Sequence, residues 1–238
     1  MYPSKKHSNF LHIFLIVLFT SFLSYNSVIC QNPDSLRIIE FLQKSQEFTN
    51  KDSLGKALEF AEKANNLSIE VYGKEYSRAI NEMGRVFFRM GNLKEASEKM
   101  KKALKIEEDN GYPDGQFRIK LLSNLAVISQ NSGIIPDALN YYNQALELMN
   151  QTSEVNIVTK FGLLYNLATL SEYTDDYEQT EYFLEQCSQI RLQSDEIPAE
   201  NVVGLLNGIG VFKIKKGDFL NAEKALLEAE DIAKKSVV

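Results

Sequence analysis

The chain repeats itself every 42 residues, and that period decides most of what it can fold into. "NEMGRVFFRMGNLKEASEKMKKAL", Asn81 to Leu104, aligns with "SNLAVISQNSGIIPDALNYYNQAL", Ser123 to Leu146, at an offset of 42. It aligns 42 further on with "YNLATLSEYTDDYEQTEYFLEQCS", Tyr165 to Ser188, and after another 42 with "NGIGVFKIKKGDFLNAEKALLEAE", Asn207 to Glu230. Upstream by 39, "LGKALEFAEKANNL" (Leu54 to Leu67) matches the second half, and "LQKSQEF" (Leu42 to Phe48) stands as a degenerate first half. A near-constant period of this length describes a stacked array, not a single closed domain, because one unit cannot bury its own apolar face.

Each copy reads as two helices. The first holds a small residue among large ones: Met83-Gly84-Phe87, Leu125-Ala126, Leu167-Ala168, Ile209-Gly210. A turn follows, marked by Gly91, Gly133 and Gly217 and by Asp52 and Asp175, residues that tolerate the left-handed conformation ending a helix. The second helix carries small-large-small stripes: Ala57-Ala61-Ala64, Ala96-Met100-Ala103, Ala138-Tyr142-Ala145, Thr180-Leu184-Cys187 and Ala222-Leu226-Ala229. Small residues mark where two helices cross closely, and the large ones fill the space beside them. Pro136 and Pro198 fall near helix starts, where a missing N–H does no harm.

These spacings resemble the tetratricopeptide repeat. The second copy carries the pattern almost in full, through Met83, Gly84, Phe87, Gly91, Leu93, Ala96, Met100 and Ala103. The period exceeds the usual one and is similar to the extended variety of kinesin light chains and of the N-terminal arrays of bacterial signalling proteins. Repeat 1 departs at Lys44-Ser45, and repeat 4 has Asp175, Thr180 and Cys187 in place of Gly, Ala and Ala. The resemblance implies an all-α solenoid, a right-handed superhelix of five helix-turn-helix repeats at about 36–72, 77–111, 117–151, 157–195 and 200–236.

Residues 1–30 read differently. Lys5 and Lys6 precede "FLHIFLIVLFTSFL", an apolar run too short to span a bilayer comfortably, and Val28 and Cys30 stand at −3 and −1 if cleavage falls before Gln31. A cleaved signal peptide is the expectation, placing residues 31–238 in a periplasmic or extracellular space. Lipidation at Cys30, for which Ile29 is a poor neighbour, and an uncleaved membrane anchor are the alternatives. Removing this segment takes away both histidines, His7 and His12, and two lysines with no acid, so the formal net charge moves from −6 to −8. An acidic array argues against nucleic acid as a partner, which needs a basic face.

Chemistry is absent from the rest. Without histidine there is no Ser-His-Asp or Cys-His system and no histidine metal site. Cys187 holds a packing position and reads as a buried structural thiol, leaving no partner for a disulfide. "GIG" at 208–210 lies mid-helix with no preceding strand, and Glu107-Glu108-Asp109 and Asp175-Asp176 read as solvated acids. Asn66 and Asn150 fit glycosylation only in a eukaryotic secretory pathway. No enzyme, cofactor or metal is expected.

In tetratricopeptide arrays the first helices line a concave groove that holds peptides. On that resemblance the groove-facing residues are Arg78, Asn81, Arg85 and Arg89 in repeat 2, Lys120 and Asn124 in repeat 3, Tyr165, Asn166 and Tyr173 in repeat 4, and Asn207 in repeat 5. Asn124 and Asn166 recur at one place, and their amides suit an extended peptide's N–H and C=O groups. The three arginines suggest a cationic end that would favour carboxylates. The carboxylate clamp of chaperone-binding members is not reproduced, since Asn81 and Arg85 stand where it would begin with Lys and Asn. The expected function is a non-catalytic scaffold binding a peptide or partner protein; the alternative is a sensory or oligomerising ectodomain of a truncated membrane signalling protein. The last helix pair, with Leu226, Leu227 and Ile232, looks uncovered, which points to self-association or further sequence there.

Overall fold

The computed structural model describes residues 33–71, 74–111 and 114–236; the segment read as a signal peptide lies outside them. Ten helices and no strand are found among the described residues. In chain order they are α1 Pro33–Asn50, α2 Leu54–Val71, α3 Lys74–Arg89, α4 Leu93–Asp109, α5 Gly115–Asn131, α6 Ile135–Gln151, α7 Ile157–Tyr173, α8 Tyr177–Gln193, α9 Ala199–Lys215 and α10 Phe219–Ser236. They divide into two compact units, one ending at Ala79 and one starting at Ile80, the division falling inside α3.

One turn design recurs in all five helix pairs. After α3, Gly91 stands at φ +77, its N–H donating to Phe88 O and the next N–H, of Asn92, reaching back to Phe87 O. Gly133, Asp175 and Gly217 repeat it at φ 73, 59 and 75, with Ile134, Asp176 and Asp218 making the long bond to Ser129, Ser171 and Lys213. Asp52 does the same in the first unit at φ 54, with Ser53 N–H donating to Phe48 O. This pair of bonds satisfies the last carbonyls of the ending helix and turns the chain back on itself. The starts are capped by side chains where the sequence supplies them: Asp114 accepts from Phe117 N, Asn156 from Val158 N and Thr159 N, and Asp176 from Gln179 N.

In the first unit α1 packs on α2 around Ile38, Ala64 and Ala79, with Phe48 stacked on Phe60 at a centroid distance of 5.5 Å. Ser45 occupies the small-residue place that looked degenerate in sequence. It is fully buried, and its hydroxyl donates to Ala57 O at 2.9 Å, so the crossing is held by a hydrogen bond where other repeats use a glycine or alanine.

In the second unit α5 packs on α6, α7 on α8 and α9 on α10, and α5, α7 and α9 also touch in sequence, making an inner row. Three stripes expected of the second helices are buried: Ala96, Met100 and Ala103; Ala138, Tyr142 and Ala145; Thr180, Leu184 and Cys187. In the last one Ala222 and Ala229 are buried, whereas Leu226 is 36% exposed. Opposite them the small residues of the first helices are forced. A methyl built on Gly84 would lie 2.8 Å from Met100 Cγ and 3.2 Å from the Ala96 carbonyl oxygen, and one on Gly210 would lie 2.7 Å from Leu226. Large buried side chains such as Phe161, Phe212 and Leu125 supply the driving force, at about 2–3 kcal/mol each.

Candidate functional site

The inner row leaves a cleft of about 170 Å³ between α5 and α7. Lys120, Ser123 and Asn124 line it from α5; Thr159, Gly162 and Asn166 line it from α7. Helical spacing explains the grouping: 120, 123 and 124 share one face, as do 159, 162 and 166. Three expected residues, Lys120, Asn124 and Asn166, are therefore brought to one place. Neither asparagine amide makes a hydrogen bond within the described residues, so both present a donor and an acceptor to the cleft.

Gly162 and Thr159 are among the lining residues that escaped the sequence reading. Gly162 sits mid-helix with nothing within 4 Å of where a Cβ would be, so it is not there to relieve packing and instead opens the floor of the cleft. Thr159 is only 7 % exposed, and its hydroxyl oxygen has no hydrogen-bond partner, an unusual state for a buried polar atom. A glycine inside an apolar helical run was the available signal.

The other expected residues are placed as follows. Tyr165 is half-buried; its hydroxyl donates to Gly204 O at 2.8 Å and its ring lies against Gly208, so it serves the α7–α9 crossing. Burial, with a smaller contribution from Glu172, holds its phenol above the ordinary range. Tyr173 and Asn207 are exposed. Arg85 is not a bare cation, since Glu82, itself 2 % exposed, pairs with it at 2.9 Å. Asn81 keeps one buried side-chain oxygen without a partner, and Arg89 lies exposed at the end of α3. Arg78 is on the same helix but within the first unit.

No carboxylate, thiol or imidazole lines the cleft; its polar groups are neutral amides, hydroxyls and one ammonium, which can hold and orient a ligand. The described residues hold no cluster of His, Cys, Asp and Glu suited to a metal, and no described helix is long and apolar enough to cross a membrane. Cys187, at the α7–α8 crossing, is fully buried with Sγ 3.7 Å from Phe161 O, and burial pushes its thiol up to about 12. Two outcomes follow. A thiol reagent at pH 8 should leave Cys187 unmodified in the folded chain and react fully in denaturant; equal rates in both would contradict the burial. Because the folded pKa is raised, stability is full below the unfolded thiol's pKa and falls as pH climbs from about 9 toward 12, by about 1.4 kcal/mol per pH unit for this group. Denaturant midpoints across that range would check the sign.

Comparison with known proteins agrees with this architecture. Residues 77–110 match the sequence model of the tetratricopeptide repeat, so this stretch is such a repeat. No curated protein matches in sequence. Among solved structures, BtubC (BKLC) from P. vanneervenii superposes with a TM-score of 0.65 at 18% identity, over 87% of this chain and 93% of that one. A putative kinesin light chain of Podosopora anserina with nearly identical TPR-like repeats gives 0.61 at 16%, over 87% and 98%. The apo quorum sensor NprR from B. thuringiensis gives 0.65 at 13%, over 95% and 62%. Residues 77–110 are thus a tetratricopeptide repeat, and the all-α helix-turn-helix fold of the described residues is similar to that of solved TPR-like repeat proteins.

Proposed function

We propose that this chain is a non-catalytic interaction scaffold that binds an extended peptide segment of a partner protein in the α5–α7 cleft. The observation carrying this reading is the pair of unengaged amides, Asn124 and Asn166, lining one cleft together with the bare backbone of Gly162. Amides one repeat apart can each take an N–H and a C=O of an extended chain, and Gly162 lets that chain approach closely. Thr159 supplies a further hydroxyl at the base, and Lys120 at the rim favours an acidic side chain or a terminal carboxylate. The exposed Tyr173 and Asn207, and Asn81, Arg85 and Arg89 on α3, extend the candidate surface within the second unit.

A peptide selected from a random display library on the full chain provides the probe. Its affinity, measured by calorimetry, should fall about a hundredfold in Asn124→Ala/Asn166→Ala and vanish in Gly162→Trp, with the thermal transition of both variants retained. Unchanged affinity in both variants would remove the cleft from the function. We read residues 1–30 as an export signal; a mature N-terminus at Gln31, read by mass spectrometry of the protein from its native cells, supports this, and an intact N-terminus excludes cleavage.

A further inference from the structure

On α10 two leucines stand where the three preceding repeats put charged residues, an asparagine or a proline. Leu220 is 64% exposed and Leu227 58%. One, two and three periods earlier the first of these positions holds Glu178, Pro136 and Lys94, and the second Glu185, Asn143 and Lys101. All six are exposed, although the repeats that carry them are internal to the stack. The direction faced by Leu220 and Leu227 is therefore solvent in every repeat, and a following helix pair would not cover it. The opposite side of α10 is already used: Ala222, Ala225 and Ala229 are buried, and Leu226 fills the space left by Gly210. Some other body must account for two large apolar side chains on the outward stripe.

Between them, on the same stripe, lie Glu223 and Lys224, both exposed and neither in an ion pair among the described residues. The order Leu-Glu-Lys-Leu at spacings i, i+3, i+4, i+7 is its own complement when read backwards with charge inverted. We infer that α10 pairs antiparallel with α10 of a second copy about a two-fold axis passing between Glu223 and Lys224. Leu220 then packs on the partner's Leu227 and Leu227 on the partner's Leu220. Glu223 meets the partner's Lys224, and Lys224 meets the partner's Glu223. A two-fold contact needs this kind of self-complementary patch. A parallel pairing in register would set Glu223 on the partner's Glu223 and is disfavoured by like charge. The surface is distinct from the α5–α7 cleft, and the inference stands whether or not that cleft binds peptide.

Four leucines and two charge pairs make a small interface, so dissociation in the range of about 10 µM is expected. Sedimentation velocity of the full chain from about 1 to 500 µM should show a monomer–dimer equilibrium. Leu220→Glu/Leu227→Glu should weaken it by at least about a hundredfold. Lys224→Glu alone, which brings four acids together, should weaken it about tenfold, and Glu223→Lys alone should do likewise. The double reversal Glu223→Lys/Lys224→Glu should return the wild-type constant. Circular dichroism melting controls for folding, which these exposed positions should leave intact. A monomer at every concentration overturns the inference. So does a dimer that ignores the leucine variant, or one that ignores the charge reversals.

Discussion

Tyr142→Ala is expected to cost about 3–5 kcal/mol, enough to shift a denaturant midpoint by well over one molar in urea, whereas Tyr142→Phe is expected to raise stability by about 1 kcal/mol. Tyr142 is wholly buried in the second unit's core with Ala126, Ala138 and Ala145, so truncation removes a full ring and leaves a cavity that rigid helices cannot close. Its hydroxyl, however, has no hydrogen-bond partner, and the same burial drives its phenol well above the ordinary range. That oxygen was stripped of water for nothing in return, which is why losing it helps. A phenylalanine variant less stable than wild type would show that the hydroxyl does find a partner.

Gly84→Leu is expected to cost about 3 kcal/mol or more, although glycine is a poor helix former and its replacement in an open helix is favourable. The first added carbon would already stand 2.8 Å from Met100 Cγ, and the Ala96 carbonyl oxygen behind it is backbone, which yields only if α4 moves. Gly162→Ala is the matched control: nothing lies near its missing Cβ, and stability should rise by about 0.5–1 kcal/mol. Thermal melting of the two variants side by side separates a glycine needed for packing from a glycine needed for access. A stable Gly84→Leu protein would mean that α3 and α4 do not cross where the spacing places them.

The fold was legible because its signal is geometric. Helices that cross at a fixed spacing need small residues at fixed offsets, and Gly84, Ala126, Ala168 and Gly210 declare the crossing before any coordinates exist. Ser45 shows the limit of pattern matching, since a polar residue fulfils the small-residue role once its hydroxyl finds Ala57 O. The candidate site was legible in part. Comparing repeats singles out what recurs, so Asn124 and Asn166 stood out, while Thr159 occurs in one repeat only and the glycine at 162 recurs as Gly204, where it reads as packing. Side-chain commitments are invisible at that level. Tyr165 looked like a groove residue but donates its hydroxyl across to Gly204, because glycines at 204 and 208 leave room for a ring. Arg85 looked like a free cation, yet Glu82 sits three residues earlier on the same helix.

The recurring turn also bears on how the molecule comes to be folded at all. Each hairpin closes on itself through partners near in the chain: Ser45 reaches Ala57 twelve residues on, and Gly84 is within reach of Ala96 at the same separation. Little chain entropy is spent before native contacts form, so the rate-limiting barrier should be low, and any of several hairpins can serve as its starting point. Damage to one of them slows that route and leaves the others open. A protein built this way is robust in reaching its structure even where a single core substitution makes the finished structure much less stable.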